Sequence, residues 1–185
     1  MIFTKTNLKG NYLIDLEPHS DNRGFFARYF CSKEFERKGL NTKWVQINTS
    51  MSRRRGTLRG LHYQRPPHAE VKLVRCLRGS IWDVVVDLRH ESKTYGKWFG
   101  AILSEQNRTM MYVPKGFAHG FISLQSRVEI LYLVSAFYAQ KHEETLLWND
   151  PDVKINWPFK PTIISRYDAF GLKLHQLKSI KVFNK

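Results

Sequence analysis

The sequence predicts a mainly β fold, a sandwich or a barrel, from three observations. Apolar segments rich in β-branched and aromatic residues recur at short intervals between residues 71 and 138. Gly, Pro, Asn and Ser cues for turns separate them. And a chain of 185 residues that is 42% hydrophobic and 14% aromatic can bury a real core, so disorder is excluded. That length fits one domain, spanning 1–185, with an N-terminal strand arm over 1–16 and a basic C-terminal tail.

The elements follow in order. Ser32 at the start of SKEFERKG and Gly39 at its end predict a short helix with a serine N-cap. Residues 71–77 (VKLVRCL) read as a strand, turned by Arg78-Gly79-Ser80 into a second strand over 81–88 (IWDVVVDL). Further strands are expected over 98–103, 109–113, 120–124 and 128–138. Tyr95-Gly96, residues 105–107, Pro114-Lys115-Gly116 and Gln125-Ser126 supply the turns between them. Over 128–138 both alternating faces are largely apolar, as for a strand buried on both sides. A second short helix is expected after Ser165.

The net charge is +14, which suits an acidic partner such as a nucleic acid, a membrane surface or a phosphorylated small molecule. Part of the excess lies in the tail over 172–185, where solvation explains it. Arg53-Arg54-Arg55 is a short run with no nucleic-acid-binding motif around it and reads as a solvated turn. No apolar run approaches the roughly 20 residues of a membrane span, and the N-terminus lacks the apolar core of a signal peptide. The only two cysteines, Cys31 and Cys76, suggest no disulfide framework, so a cytoplasmic location is expected, without nucleic-acid or membrane partners.

Among the polar residues, His62 stands out in the stretch RGTLRGLHYQ over 55–64. A lone strand histidine is ordinarily structural, but Arg59, Gln64 and the nearby Lys72 give this one polar company. Strand parity sets Gly60, His62 and Gln64 on one face and Arg59 on the other, unless the chain bulges at Gly60. His62, His68 and His119 have no metal-ligand spacing, so no metal site is expected.

These motifs, with others along the chain, make it resemble the dTDP-4-dehydrorhamnose 3,5-epimerases of the cupin superfamily. The matching stretches include DNRGFF from Asp21, Gln46-Ile47-Asn48, RGTLRGLHYQ, KLVR from Lys72, DVVVDLR from Asp83 and VPKGFAHGF from Val113. Leu131-Tyr132, Tyr138, WNDP from Trp148 and Ser165-Arg166-Tyr167-Asp168 complete the set, in order over nearly the whole chain. The resemblance implies a cupin-type jelly roll (a double-stranded β-helix), a homodimer, and no metal or organic cofactor. It implies an isomerase acting on a nucleotide-linked 4-keto-6-deoxy sugar, in the route to rhamnose or a related deoxy sugar of a surface polysaccharide such as O-antigen.

Carried over residue by residue, the resemblance makes His62 the base, Asp168 its partner, Lys72 the cation at the keto oxygen and Tyr132 the acid. It places Arg23, Phe26, Gln46, Asn48, Arg59, His119 and Tyr138 around the sugar nucleotide. Three positions depart from the family pattern. His19 stands where phenylalanine is common, Arg28 where glutamate is common, and Leu133 where a lysine often follows the acid tyrosine. His19 and Arg28 are expected near the nucleoside, across the dimer interface. Epimerisation at C3 alone is the near alternative, and a non-catalytic sugar-nucleotide-binding cupin a more distant one.

Overall fold

A computed structural model describes residues 1–178 of the chain. It opens with β1 (Ile2–Lys5), β2 (Tyr12–Asp15), the hairpin strands β3 (His19–Asp21) and β4 (Gly24–Phe26), and helix α1 (Ser32–Arg37). The central strands are β5 (Gln46–Ser52), β6 (Thr57–Gln64), β7 (Lys72–Arg78), β8 (Ser80–Asp87) and β9 (Trp98–Ser104). Then come β10 (Met110–Val113), β11 (Phe117–Ser123), β12 (Val128–Val134), β13 (Glu143–Thr145), β14 (Ile163–Ile164) and helix α2 (Arg166–Ala169).

Two sheets carry the fold. One runs β1-β2-β10-β7-β12-β5, the other β13-β6-β11-β8-β9 with β14 alongside β6. All neighbours are antiparallel except β14 with β6. The predicted mainly β architecture is therefore present as a jelly roll of two facing sheets. Between them lie Val74, Cys76, Ile81, Val85, Leu103, Met111, Phe121 and Ile130, all buried.

Each sheet is also covered on its outer face, which explains why so many strands are apolar on both parities. Phe35 of α1, with Phe30 and Trp44, packs on Leu73, Met110 and Tyr112 of the first sheet. Val153, Leu146, Leu174 and Leu177 cover Leu61, Val84 and Val86 of the second. The described part of the basic tail is thus docked on the barrel: Leu172 bridges Leu146, and its N–H donates to Thr145 O at 2.8 Å. The remainder of the predicted tail, 179–185, lies outside the described residues.

Several expected boundaries move. The strand expected over 120–124 begins at Phe117, because residues from Phe117 onward already pair with β8. The strand expected over 128–138 ends at Val134, opposite the end of β5 at Gln46. Beyond it the chain leaves the sheet, and Phe137 and Tyr138 are exposed. The α1 cap is Cys31 rather than Ser32: the Cys31 carbonyl accepts from Glu34 and Phe35, and no side chain caps the helix. Arg53, Arg54 and Arg55 do form an exposed turn, with Arg55 stacked 4.0 Å over Phe159. Among the described residues no helix is long and apolar enough to cross a membrane.

One buried carboxylate braces the β8–β9 connection. Asp87, fully buried, accepts from Arg89, Ser92 and Thr94 at 2.6–2.8 Å. Burial alone would raise its pKa; these hydrogen bonds outweigh burial and hold it below the ordinary carboxylate value. A depressed folded-state pKa contributes stability above the ordinary value and loses it as pH falls through the depressed one. Asp87→Asn should therefore cost about 3 kcal/mol at neutral pH. In urea unfolding the gap from wild type should stay constant down to about pH 4 and narrow below it.

Candidate active site

The site depends on an irregularity in β6. In the β6–β11 pairing His62 faces His119 and Arg59 faces Phe121, so Gly60 and Leu61 oppose Gly120 alone. That is a bulge, two residues against one. Gly60 has φ +101°, a conformation in which a side chain is strained. A Cβ on Gly60 would lie 2.6 Å from His119 O, and one on Gly120 would lie 2.6 Å from Arg59 O. Both glycines are needed for the backbones to approach. The extra residue turns Arg59 and His62 into the same cavity, as the bulge expectation required. Gln64 instead staples loops, donating to His68 O, Glu70 and Phe137 O and accepting from the Ala139 N–H.

The cavity holds about 380 Å³ between the two sheets. Gln46, Asn48 and Ser50 enter from alternate positions of β5, Lys72 from β7, and Ile130, Tyr132 and Val134 from one face of β12. The opposite sheet contributes Arg59 and His62 from β6, His119 from β11 and Glu143 from β13. Ser165, Tyr167 and Asp168 come from α2 and its cap, and Tyr138 from the turn after β12. His62 and Tyr132 thus face one space from opposing sheets.

The ring of His62 bonds Asp168 Oδ1 through Nε2 at 2.5 Å. Asp168 is held by the turn of α2, where its N–H donates to Ser165 Oγ at 3.0 Å. Burial would raise the Asp168 pKa, but the His62 contact, then Ser165 and the Gly60 N–H, hold it below the ordinary value. An ionised partner fixes the imidazole orientation and leaves its second nitrogen free to take a proton. The Lys72 ammonium is tied to Glu70 at 3.2 Å and lies 3.5 Å from His62 O. Burial, with the Glu70 charge second, raises the Tyr132 phenol, so it keeps its proton at neutral pH. The hydrogen bond to Glu143 pushes Tyr138 up to about 12. Arg59 is aimed by bonds to Ser52 Oγ and Met51 O. His119 bonds the buried Asp83 at 2.8 Å.

Residues 5–176 match the family model for dTDP-4-dehydrorhamnose 3,5-epimerase. The chain belongs to that family. It is 44% identical over 158 residues to dTDP-4-dehydrorhamnose 3,5-epimerase of Methanothermobacter thermautotrophicus, covering 85% of this chain and 84% of the relative. The crystal structure of the Elizabethkingia anophelis enzyme superposes with a TM-score of 0.91 at 42% identity, over 95% of this chain and 97% of that one. The Legionella pneumophila dTDP-6-deoxy-D-glucose-3,5-epimerase, solved in complex with dTDP-4-keto-L-rhamnose, does so at 0.92 and 34%, over 100% and 99%. The family resemblance read from the motifs is thereby established, together with the cupin-type fold and an isomerase of the sugar-nucleotide epimerase class.

Of the family positions singled out in the sequence, nine meet in the cavity: Gln46, Asn48, Arg59, His62, Lys72, His119, Tyr132, Tyr138 and Asp168. The other four do not. Arg23, Phe26 and His19 sit on the exposed β3–β4 hairpin, Arg23 paired with Asp21 at 2.6 Å and His19 opposite Phe26. Arg28 follows the hairpin and lies 3.4 Å from Glu34. Leu133 points to the outer face of its sheet, in the cluster around Phe35, and so takes no part in the cavity. His68 lies in a loop against His142, ring centroids 4.5 Å apart, away from the other two histidines.

Glu70, Glu143, Ser50 and Tyr167 also line the cavity and were not singled out in the sequence. Glu70 had a signal, lying two residues before Lys72 and hence on its strand face. Glu143 had none, because only the fold brings β13 beside β6. Gly60→Ala should cost at least about 1–3 kcal/mol in stability through backbone strain. It should lower activity by more than that loss explains, since Arg59 and His62 part company; chemical denaturation and turnover on the same sample check both.

Proposed function

We propose that this protein inverts C3 and C5 of dTDP-4-keto-6-deoxyglucose, with His62 as base and Tyr132 as acid. The observation that carries the reading is the entry of the His62–Asp168 pair and Tyr132 into one cavity from facing sheets. A C4 ketone acidifies the hydrogens on C3 and C5, because the carbanion delocalises onto oxygen. His62, oriented by an ionised Asp168, takes the proton near neutral pH. Lys72 stabilises the negative oxygen of the enolate. Inversion needs a proton returned to the opposite face, and Tyr132, protonated and on the other sheet, is placed for that. Arg59 holds the diphosphate, to which a guanidinium bonds in bidentate fashion.

The reading includes a homodimer. Among the described residues the outer edge of β5 has no strand partner, and its Ile47 and Met51 side chains are 66% and 49% exposed. Such an edge is ordinarily covered. In the proposed dimer the β3–β4 hairpin of a second copy supplies His19, Arg23, Phe26 and Arg28 to the nucleotide end of the cavity, which accounts for family positions that stand outside their own cavity. In this arrangement Arg28 adds positive charge beside the nucleoside.

Two measurements test this. In heavy water with dTDP-4-keto-6-deoxyglucose, deuterium should enter at both C3 and C5, and His62→Ala should slow it by about 10²–10⁴-fold. Deuterium at C3 alone would assign C3-only epimerisation, and its absence from both would reject dTDP-4-keto-6-deoxyglucose as the substrate. Light scattering should give the mass of a dimer, and inactive His62→Ala and Arg23→Ala subunits should recover activity when co-expressed. A monomer, or a mixed sample that stays inactive, would reject the shared site.

A further inference from the structure

Tyr167 has no role in the chemistry above, yet its placement is particular. It precedes Asp168 in the four-residue α2. The same turn that buries Asp168 behind His62 leaves Tyr167 53% exposed on the cavity rim. Its ring centroid is 6.1 Å from that of His62, with the planes tilted by 41°. The side chain is also a shared wall: the active cavity is on one side, and on the other is a groove of about 630 Å³ lined by Arg166, Phe170 and Leu172. Glu143 is the other residue that lines both spaces.

The helix does not need this ring for its own stability. Asp168 is buried and bonded to His62, Ser165 caps the turn, and Leu172 pairs with Leu146 just beyond it. A half-exposed aromatic face next to a general base is surface left for a ligand to cover. The base must lie within reach of the carbon it deprotonates, so whatever covers this face is the part of the ligand nearest the reacting carbon. Arg59 is bonded toward β5, to Ser52 and Met51, so the anion-binding end of the cavity is on that side and not at α2. The apolar C–H face of a pyranose fits an aromatic ring, and packing there excludes water from the base.

We infer that Tyr167 is a specificity-determining residue whose ring packs on the sugar, not the nucleotide, and closes the cavity beside His62. The inference rests on the sugar-nucleotide reading of the site. Tyr167→Ala and Tyr167→Phe separate the ring from its hydroxyl. Calorimetry with dTDP-glucose and with dTDP separates sugar from nucleotide and does not depend on turnover. Tyr167→Ala should weaken dTDP-glucose about tenfold, leave dTDP unchanged and raise KM in step, while Tyr167→Phe stays near wild type. Unaltered dTDP-glucose affinity in Tyr167→Ala would overturn the inference. So would an equal loss for both ligands, which would place the ring on the nucleotide. A changed pH profile of kcat matching that of Asp168→Asn would also overturn it, since the ring would then only prop the carboxylate. Wild type that binds dTDP-glucose more tightly than dTDP without turning over the keto sugar would reject the epimerase reading and leave the calorimetric comparison to decide Tyr167.

Discussion

The close approach of two glycines, Gly60 on β6 and Gly120 on β11, is the constraint on which the site depends. A Cβ at either position would collide with the backbone of the other strand. With both absent, β6 accommodates one more residue than its partner, and the alternation of the strand is broken once. The break turns Arg59, otherwise on the far face, to the side that His62 occupies. It also brings the Gly60 N–H to the Asp168 carboxylate. A single backbone irregularity thus joins Arg59, His62 and Asp168 in one cavity.

The jelly roll adds what one strand cannot. Its two sheets face each other across a core, and the cavity is where that core gives way to polar side chains. Since β6 and β12 belong to different sheets, His62 and Tyr132 stand on two sides of whatever lies between them, as the proposed base and acid must. Inversion at carbon needs that arrangement. The burial that holds Tyr132 protonated and the contacts that hold Asp168 ionised set opposite proton states within one space.

Covering the outer faces of the sheets also serves the site. The second sheet is apolar outside as well as inside, so the chain after β13 must pack over it. In doing so it returns past β6, where β14 pairs with Thr57 and Leu58, and enters α2 beside His62. Asp168 and Tyr167 reach His62 because the covering segment crosses beside β6 at α2 before Leu172, Leu174 and Leu177 dock back on the sheet. The N-terminal cover acts likewise: it closes the first sheet with Phe35 and leaves the β3–β4 hairpin projecting with Phe25 and Phe26 exposed.

Much of this was legible in the chain. Alternating and two-sided apolar segments with turn residues between them specify strands, because side-chain direction has a period of two and buried surface must be matched. The ordered motifs identified the family and named nine of the residues that converge in the cavity. Gly60 was legible as the one place where parity could fail, although parity left open whether it did. Strand ends were less legible: residues 135–138 read as strand, but the pairing with β5 ends at Val134 opposite Gln46. The same holds for the Ser32 cap, since hydroxyl-capping propensity did not decide where the first turn closed. Glu143 could not be found at all, and Tyr167, though it lies in a matching motif beside Asp168, carried no sign of a role, because their place beside His62 depends on contacts between segments about 80 to 105 residues apart, which no local pattern encodes. The sequence by itself determined the strands, the family and the chemistry available, since these rest on local periodicity and residue type. Only the tertiary structure decided that Arg59 shares a face with His62, that His62 and Tyr132 enter one cavity from facing sheets, and that the hairpin residues stand apart from their own cavity, because each depends on backbone packing between strands distant in the chain.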